Sequence, residues 1–161
     1  MGTDQEFLLR AIELALAAEQ EGNLPVGAVI VLDSQIIAEG RNAIWMPRFD
    51  ATRHAEVEAM RAVPSDLWPR AERMSLYTPL EPCLMCLGAI LLHRIGRVVF
   101  GAEDPNAGVS AQQSDLPSYF HRQLEITAWS GPLMPVECDP LYLRVRALVD
   151  ARAARSQGEG S

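Results

Sequence analysis

The chain has 161 residues, 48% of them apolar and 22% charged, and its 21 acidic against 14 basic residues give a net charge of −7. That length fits one domain able to bury about two-thirds of its unfolded surface, and the composition excludes disordered and fibrous classes. The acidity argues against indiscriminate polyanion binding, while a local basic patch stays open. No apolar run approaches the roughly eighteen residues of a membrane span, and MGTDQEFLLR lacks the basic region and apolar core of a signal peptide, so no membrane partner is expected. Three cysteines do not make a disulfide framework, so a cytoplasmic protein is expected.

In chain order, Thr3 and Glu6 have the spacing of a capping box ahead of FLLRAIELALAAEQ, whose apolar stripe predicts a helix from about residue 4 to about residue 20. EGNLP ends it. VGAVIVLD is a continuous β-branched run that suits a strand covered on both faces, and DS turns the chain into a second strand, QIIAEG. The irregular RNAIWMPRFDATR leads to a helical pattern, HAEVEAMRAV. SLYTPL then reads as a third strand, CLMCLGAILLHRI as a helix and RVVFGA as a fourth strand. Residues 102–122 read as a long surface loop, LEITAW as a fifth strand and PLYLRVRALVDARAA as a closing helix. The polar RSQGEGS is expected to fray. The pattern predicts one domain over residues 1–154 with a flexible tail at 155–161. Its architecture is a three-layer α/β/α sandwich around a mixed five-stranded sheet.

The chemistry gathers at EPCLMC. Cys83 and Cys86 lie three apart at a predicted helix start, so both sulfurs share one face of the first turn. Pro82 suits that point, and the helix dipole favours thiolates. The pair alone does not choose between a metal, which ranks first, a redox couple and plain packing. His54 and Glu56 open the preceding helix and change the balance. One imidazole and two thiolates are three zinc ligands with a fourth position left for water. A water that must lose a proton needs a nearby base, and Glu56 supplies one if His54 sits at the very start of its helix. Cys138, in a turn-like VECDP with no partner spacing, reads as a free thiol.

His-x-Glu followed by Pro-Cys-x-x-Cys is the signature of zinc-dependent nucleobase deaminases. With LPVGAVIVLDSQIIAEGRN, HAEVEAMRA and LYTPLEPCLMCLGAILLHRIGRVVFGAEDPNAG, the chain closely resembles bacterial tRNA adenosine deaminases and the small guanine and nucleoside deaminases over most of residues 4–109. The resemblance implies a cytidine-deaminase-like fold, a homodimer and one zinc per chain on His54, Cys83 and Cys86. It also implies Glu56 as proton shuttle, Asn42 bonded to the ring and the Ala55 N–H polarising a ring acceptor.

Three features depart from the tRNA enzymes of that family. The linker between Asn42 and His54 is one residue longer and carries Trp45, Met46 and Phe49. VSAQQSDLPSYFHRQ replaces the usual AAGS-like continuation, and the last helix lacks a basic, doubly aromatic end. The expected reaction is therefore hydrolytic deamination of a small purine-like base or nucleoside. A tRNA adenosine is ranked second, and a non-catalytic zinc-stabilised binding subunit third. Arg144, Arg146, Arg152 and Arg155 are read as a solvated helix face rather than a phosphate site.

Overall fold

The structure is a computed structural model that describes residues 2–110 and 115–158. Helix α1 (Asp4–Gln20) starts at the expected capping box: Thr3 Oγ1 accepts the Glu6 N–H, and Glu6 Oε2 accepts the Thr3 N–H at 2.6 Å. Strands β1 (Gly27–Leu32) and β2 (Gln35–Arg41) form an antiparallel hairpin through Asp33 and Ser34. Helix α2 (Ala55–Ala62), a 3-10 helix (Ser65–Arg73), β3 (Ser75–Leu80), α3 (Leu84–His93) and β4 (Arg97–Ala102) follow. The chain ends with α4 (Ser118–Leu124), β5 (Ala128–Ser130) and α5 (Pro135–Gly158).

The five strands lie in the order β2-β1-β3-β4-β5. β1 is antiparallel to both its neighbours, and β3, β4 and β5 run parallel, so the sheet is mixed as expected. Alternation along the strands makes two cores, because successive side chains leave opposite faces. Ala28, Ile30, Leu76 and Val98 face Ala59 and Met60 of α2 and Ile90 of α3. Val29, Val31, Tyr77 and Val99 face Leu8 and Ala15 of α1 and Cys138 and Leu141 of α5. Gly40 of β2 lets α2 lie directly on the sheet, since a Cβ there would overlap the backbone of Ala55 and Ala59. That contact fixes where α2 begins.

The carboxyl-terminal third differs from the sequence expectation. Residues 118–122 of the predicted surface loop, with Gln123 and Leu124, form α4, whose Phe120 and Leu124 pack against Leu87 and Leu91 of α3. That helix takes the start of LEITAW, leaving β5 only three residues. The closing helix begins at Pro135, five residues ahead of the predicted start, and contains Pro140. Proline at 140 forgoes one helical bond, but burial of Met134, Cys138 and Leu141 against β4 holds the extra turn in place. Cys138 is thus a packed helical thiol, not a turn residue. Residues 155–158 of the expected tail continue α5, while 159–161, like 111–114 of the expected loop, lie outside the described residues. Among the described residues no helix is long and apolar enough to cross a membrane.

Candidate active site

Two helix starts meet at the carboxyl end of β3. His54 is the N-cap of α2 (φ −71°, ψ 151°) and Cys83 the N-cap of α3 (φ −78°, ψ 174°). Their extended backbones leave both side chains ahead of the helix ends, where Cys86 joins them from the first turn of α3. His54 Nδ1 lies 3.6 Å from Cys83 Sγ and 3.6 Å from Cys86 Sγ. A tetrahedral zinc with Zn–S near 2.3 Å and Zn–N near 2.0 Å places nitrogen and sulfur about 3.5 Å apart. The spacing therefore fits zinc with one position left over. Among the described residues this is the one cluster of three metal donors, all within 4.8 Å of one another. All three cysteines are free thiols, and Cys138 is packed under Gly101 of β4, away from the cluster.

Without a metal, the protons are unevenly divided among the three donors, and Cys83 gives up its own most readily. The Cys83 thiol is pulled down to about 4, chiefly by its bond with Cys86, against the opposing effect of burial and with further help from His54. Cys86 is pushed the other way by the same bond and by burial, so the two sulfurs share one proton. The bond to Cys83 raises His54, and burial raises the carboxyl of Glu56, which is 4% exposed. A chemical prediction follows for metal-free protein at neutral pH. Cys83 is a thiolate above about pH 4 and is partly buried, whereas fully buried Cys138 is pushed up to about 12. Peptide mapping after alkylation is expected to show modification of Cys83 first, and zinc is expected to protect it. Equal labelling of Cys83 with and without zinc would contradict this.

His54 and Cys83 of the cluster line a cavity of about 330 Å³, the lower end of the range for small-molecule sites. Leu24, Val26, Ile44 and Leu80 give it apolar sides, and Asn42, Glu56 and Asp104 are polar groups in its lining. Asn42 is buried, with its side-chain oxygen accepting the Ile44 N–H at 3.3 Å. Ala55 is the first residue of α2, fully buried, and is not among the residues lining the cavity. A larger depression of about 520 Å³ between β2 and α2 contains none of these groups and is edged by the Arg41–Glu21 and Arg53–Glu58 ion pairs.

Residues 1–102 match the cytidine and deoxycytidylate deaminase zinc-binding region. The chain belongs to that family. It is therefore a zinc-type deaminase, a hydrolase of C–N bonds, with the His54, Cys83 and Cys86 cluster placed to hold the metal. A tRNA-specific adenosine deaminase of Bacillus subtilis is 38% identical over 134 residues, covering 80% of this chain and 81% of that protein. A structure solved in work on A-to-I editing by tRNA:A34 deaminases at the wobble position superposes with a TM-score of 0.70 at 31% identity, over 85% of this chain and 99% of that one. The guanine deaminase structure from Bacillus subtilis is 42% identical with a TM-score of 0.56, over 64% of this chain and 66% of that one.

Several residues of the deaminase cavity were assigned no role from the sequence. Glu81, Asp104, Asn106 and Ala107 line it from the ends of β3 and β4, and Val145, Arg146 and Val149 from α5. The position of EDPNAG just past a parallel strand was the available signal, since sites gather at such strand ends. Of the linker residues, Met46 is 50% exposed and edges the 520 Å³ depression rather than the deaminase cavity, and Phe49 is 64% exposed. The Arg152 guanidinium lies over the Trp45 ring at 4.7 Å, whereas Arg144 pairs with Glu19 and Arg146 with Asp150.

Proposed function

We propose that this deaminase converts adenosine to inosine in a tRNA anticodon loop in the cytoplasm. The observation that carries the reading is the extent of the likeness to a tRNA-specific adenosine deaminase. It runs over 134 residues, well past the zinc motif and across most of both chains. This moves the balance from the small purine, ranked first from the sequence, to the RNA ranked second. The net charge of −7 weighs less once the arginines are placed, because Arg152 and the Trp45 ring stand together in a separate depression, one residue from Ile44 and three from Val149 of the cavity lining. An aromatic ring capped by a guanidinium suits an unstacked base next to a phosphate. The 42% identity with a guanine deaminase structure keeps a free purine as the second reading.

In this reading His54, Cys83 and Cys86 hold zinc, whose Lewis acidity lowers the pKa of water toward about 7. Glu56 takes the proton of the water that adds to the amidine carbon. It passes that proton to the ring nitrogen and then carries the proton of the newly added hydroxyl to the leaving amino group, so that water and the amidine become a carbonyl and ammonia. Asn42 orients the base, and the N–H of Ala55 at the helix start favours charge developing on a ring acceptor. A second copy of this chain completes the assembly, a role supported by the apolar stripe of Leu84, Met85 and Leu92, exposed by 66%, 38% and 59% on α3.

Inosine formation in an anticodon stem-loop and ammonia release from guanine and adenosine, each at two salt concentrations, test the substrate. The RNA is expected to be deaminated at one adenosine. Its log(kcat/KM) should fall with log salt by about 0.7 for each phosphate contact. Arg152→Ala and Trp45→Ala are expected to raise KM for RNA several-fold and to leave zinc content intact. Turnover of a free purine with no inosine in the RNA would replace this reading with the second one.

A further inference from the structure

Glu81 is buried, 7% exposed, and directly precedes the Pro82-Cys83 turn. Both its oxygens are used. Oε2 accepts the Asp104 N–H at 3.0 Å and Oε1 accepts the Ser110 N–H at 2.6 Å. Among the described residues it makes no ion pair, so the charge is held by backbone donors alone, as charge-assisted bonds allow. The loop closes tightly around this carboxylate: a Cβ on Gly108 would overlap Glu81 Oε2, and Gly108 bridges to Cys83 in antiparallel register. Asp104, Asn106 and Ala107 of the same loop line the cavity.

We propose that Glu81 is a positioning residue that clamps the 104–110 loop to the metal-bearing turn and so sets how tightly the substrate is held. The assignment rests on the reading of this cavity as the base site. A carboxylate suits the task because it is an acceptor at both oxygens. A glutamine of the same shape would turn an NH2 toward one of the two N–H groups and lose that bond. The other side of the loop is tied less directly, by the Trp129 indole donating to Ser110 Oγ at 3.0 Å and by the Asn106 amide meeting the Tyr142 hydroxyl of α5.

The test compares the zinc-loaded wild type with Glu81→Gln by amide hydrogen exchange and by kinetics. One lost bond to a charged group corresponds to about a tenfold or larger change in local opening. Exchange at the Asp104 and Ser110 amides is expected to speed up by at least that factor, while β3 and β4 stay protected and zinc stays bound. KM should rise by a similar factor with kcat little changed. Gly108→Ala, which displaces the same loop without altering the carboxylate, should reproduce the KM effect. Unchanged exchange at 104 and 110 would overturn the proposal, as would a fall in kcat at constant KM or a loss of zinc. If the wild type acts on neither RNA nor purine, the substrate reading fails, and the exchange measurement still decides the clamp.

Discussion

Glu56→Gln is expected to keep the fold and the zinc while losing about 10⁴-fold or more in kcat. The side chain sits at the second position of α2, 4% exposed in the cavity wall and beside the metal donors. Glutamine matches its volume, so the packing of α2 survives, but it takes up no proton. Each general acid–base step is worth roughly 10²–10⁴-fold, and deamination needs proton movement from water, to the ring and to the leaving amine. A single residue serving several steps gives losses that compound, although such effects do not simply add. Zinc content by elemental analysis, the thermal transition and single-turnover inosine formation are the readouts. The variant should still bind substrate, so KM should change far less than kcat. Turnover within tenfold of wild type would mean that another group moves the proton. The same experiment separates the enzyme from the non-catalytic binding subunit considered from the sequence, because a binding module has no use for this carboxylate.

The site was legible because its chemistry is local. His54 and Glu56 lie two apart, Cys83 and Cys86 three apart, and each pair marks its own helix start. The sequence reading required His54 at the very start of its helix, and His54 is the N-cap of α2. The central strands were legible for a similar reason: VIVL, SLYTPL and RVVFGA are covered on both faces and read as continuous apolar runs. What stayed hidden depends on contacts distant in sequence. α4 is a helix because Phe120 and Leu124 find α3. The first turn of α5 survives Pro140 because Cys138 finds Gly101. Glu81 resembles any acidic loop residue until Asp104 and Ser110, 23 and 29 residues away, turn their amides toward it. The substrate was the hardest to read, since net charge averages over the whole surface while recognition depends on a few side chains at one mouth.

Cys86→Ala is expected to abolish tight zinc binding and with it the metal-dependent part of the stability. The thiol is fully buried, and its sulfur is one of the three donors within reach of one ion. Removing it leaves His54 and Cys83, an incomplete set for a metal that prefers four ligands, with water supplying only one. A ligand that binds only the folded state stabilises it by RT ln(1 + [L]/Kd), about 4 kcal/mol at a thousandfold excess over Kd. Wild-type protein stripped by chelator should therefore regain several degrees of Tm when zinc is returned, and Cys86→Ala should regain none. Cys138→Ser is the control. It puts a hydroxyl in the apolar core between β4 and α5, at a cost of about 1–3 kcal/mol, yet it should bind one zinc per chain and show the full zinc-dependent rise in Tm. A Cys86→Ala variant that still holds one zinc with the wild-type Tm shift would remove Cys86 from the metal site.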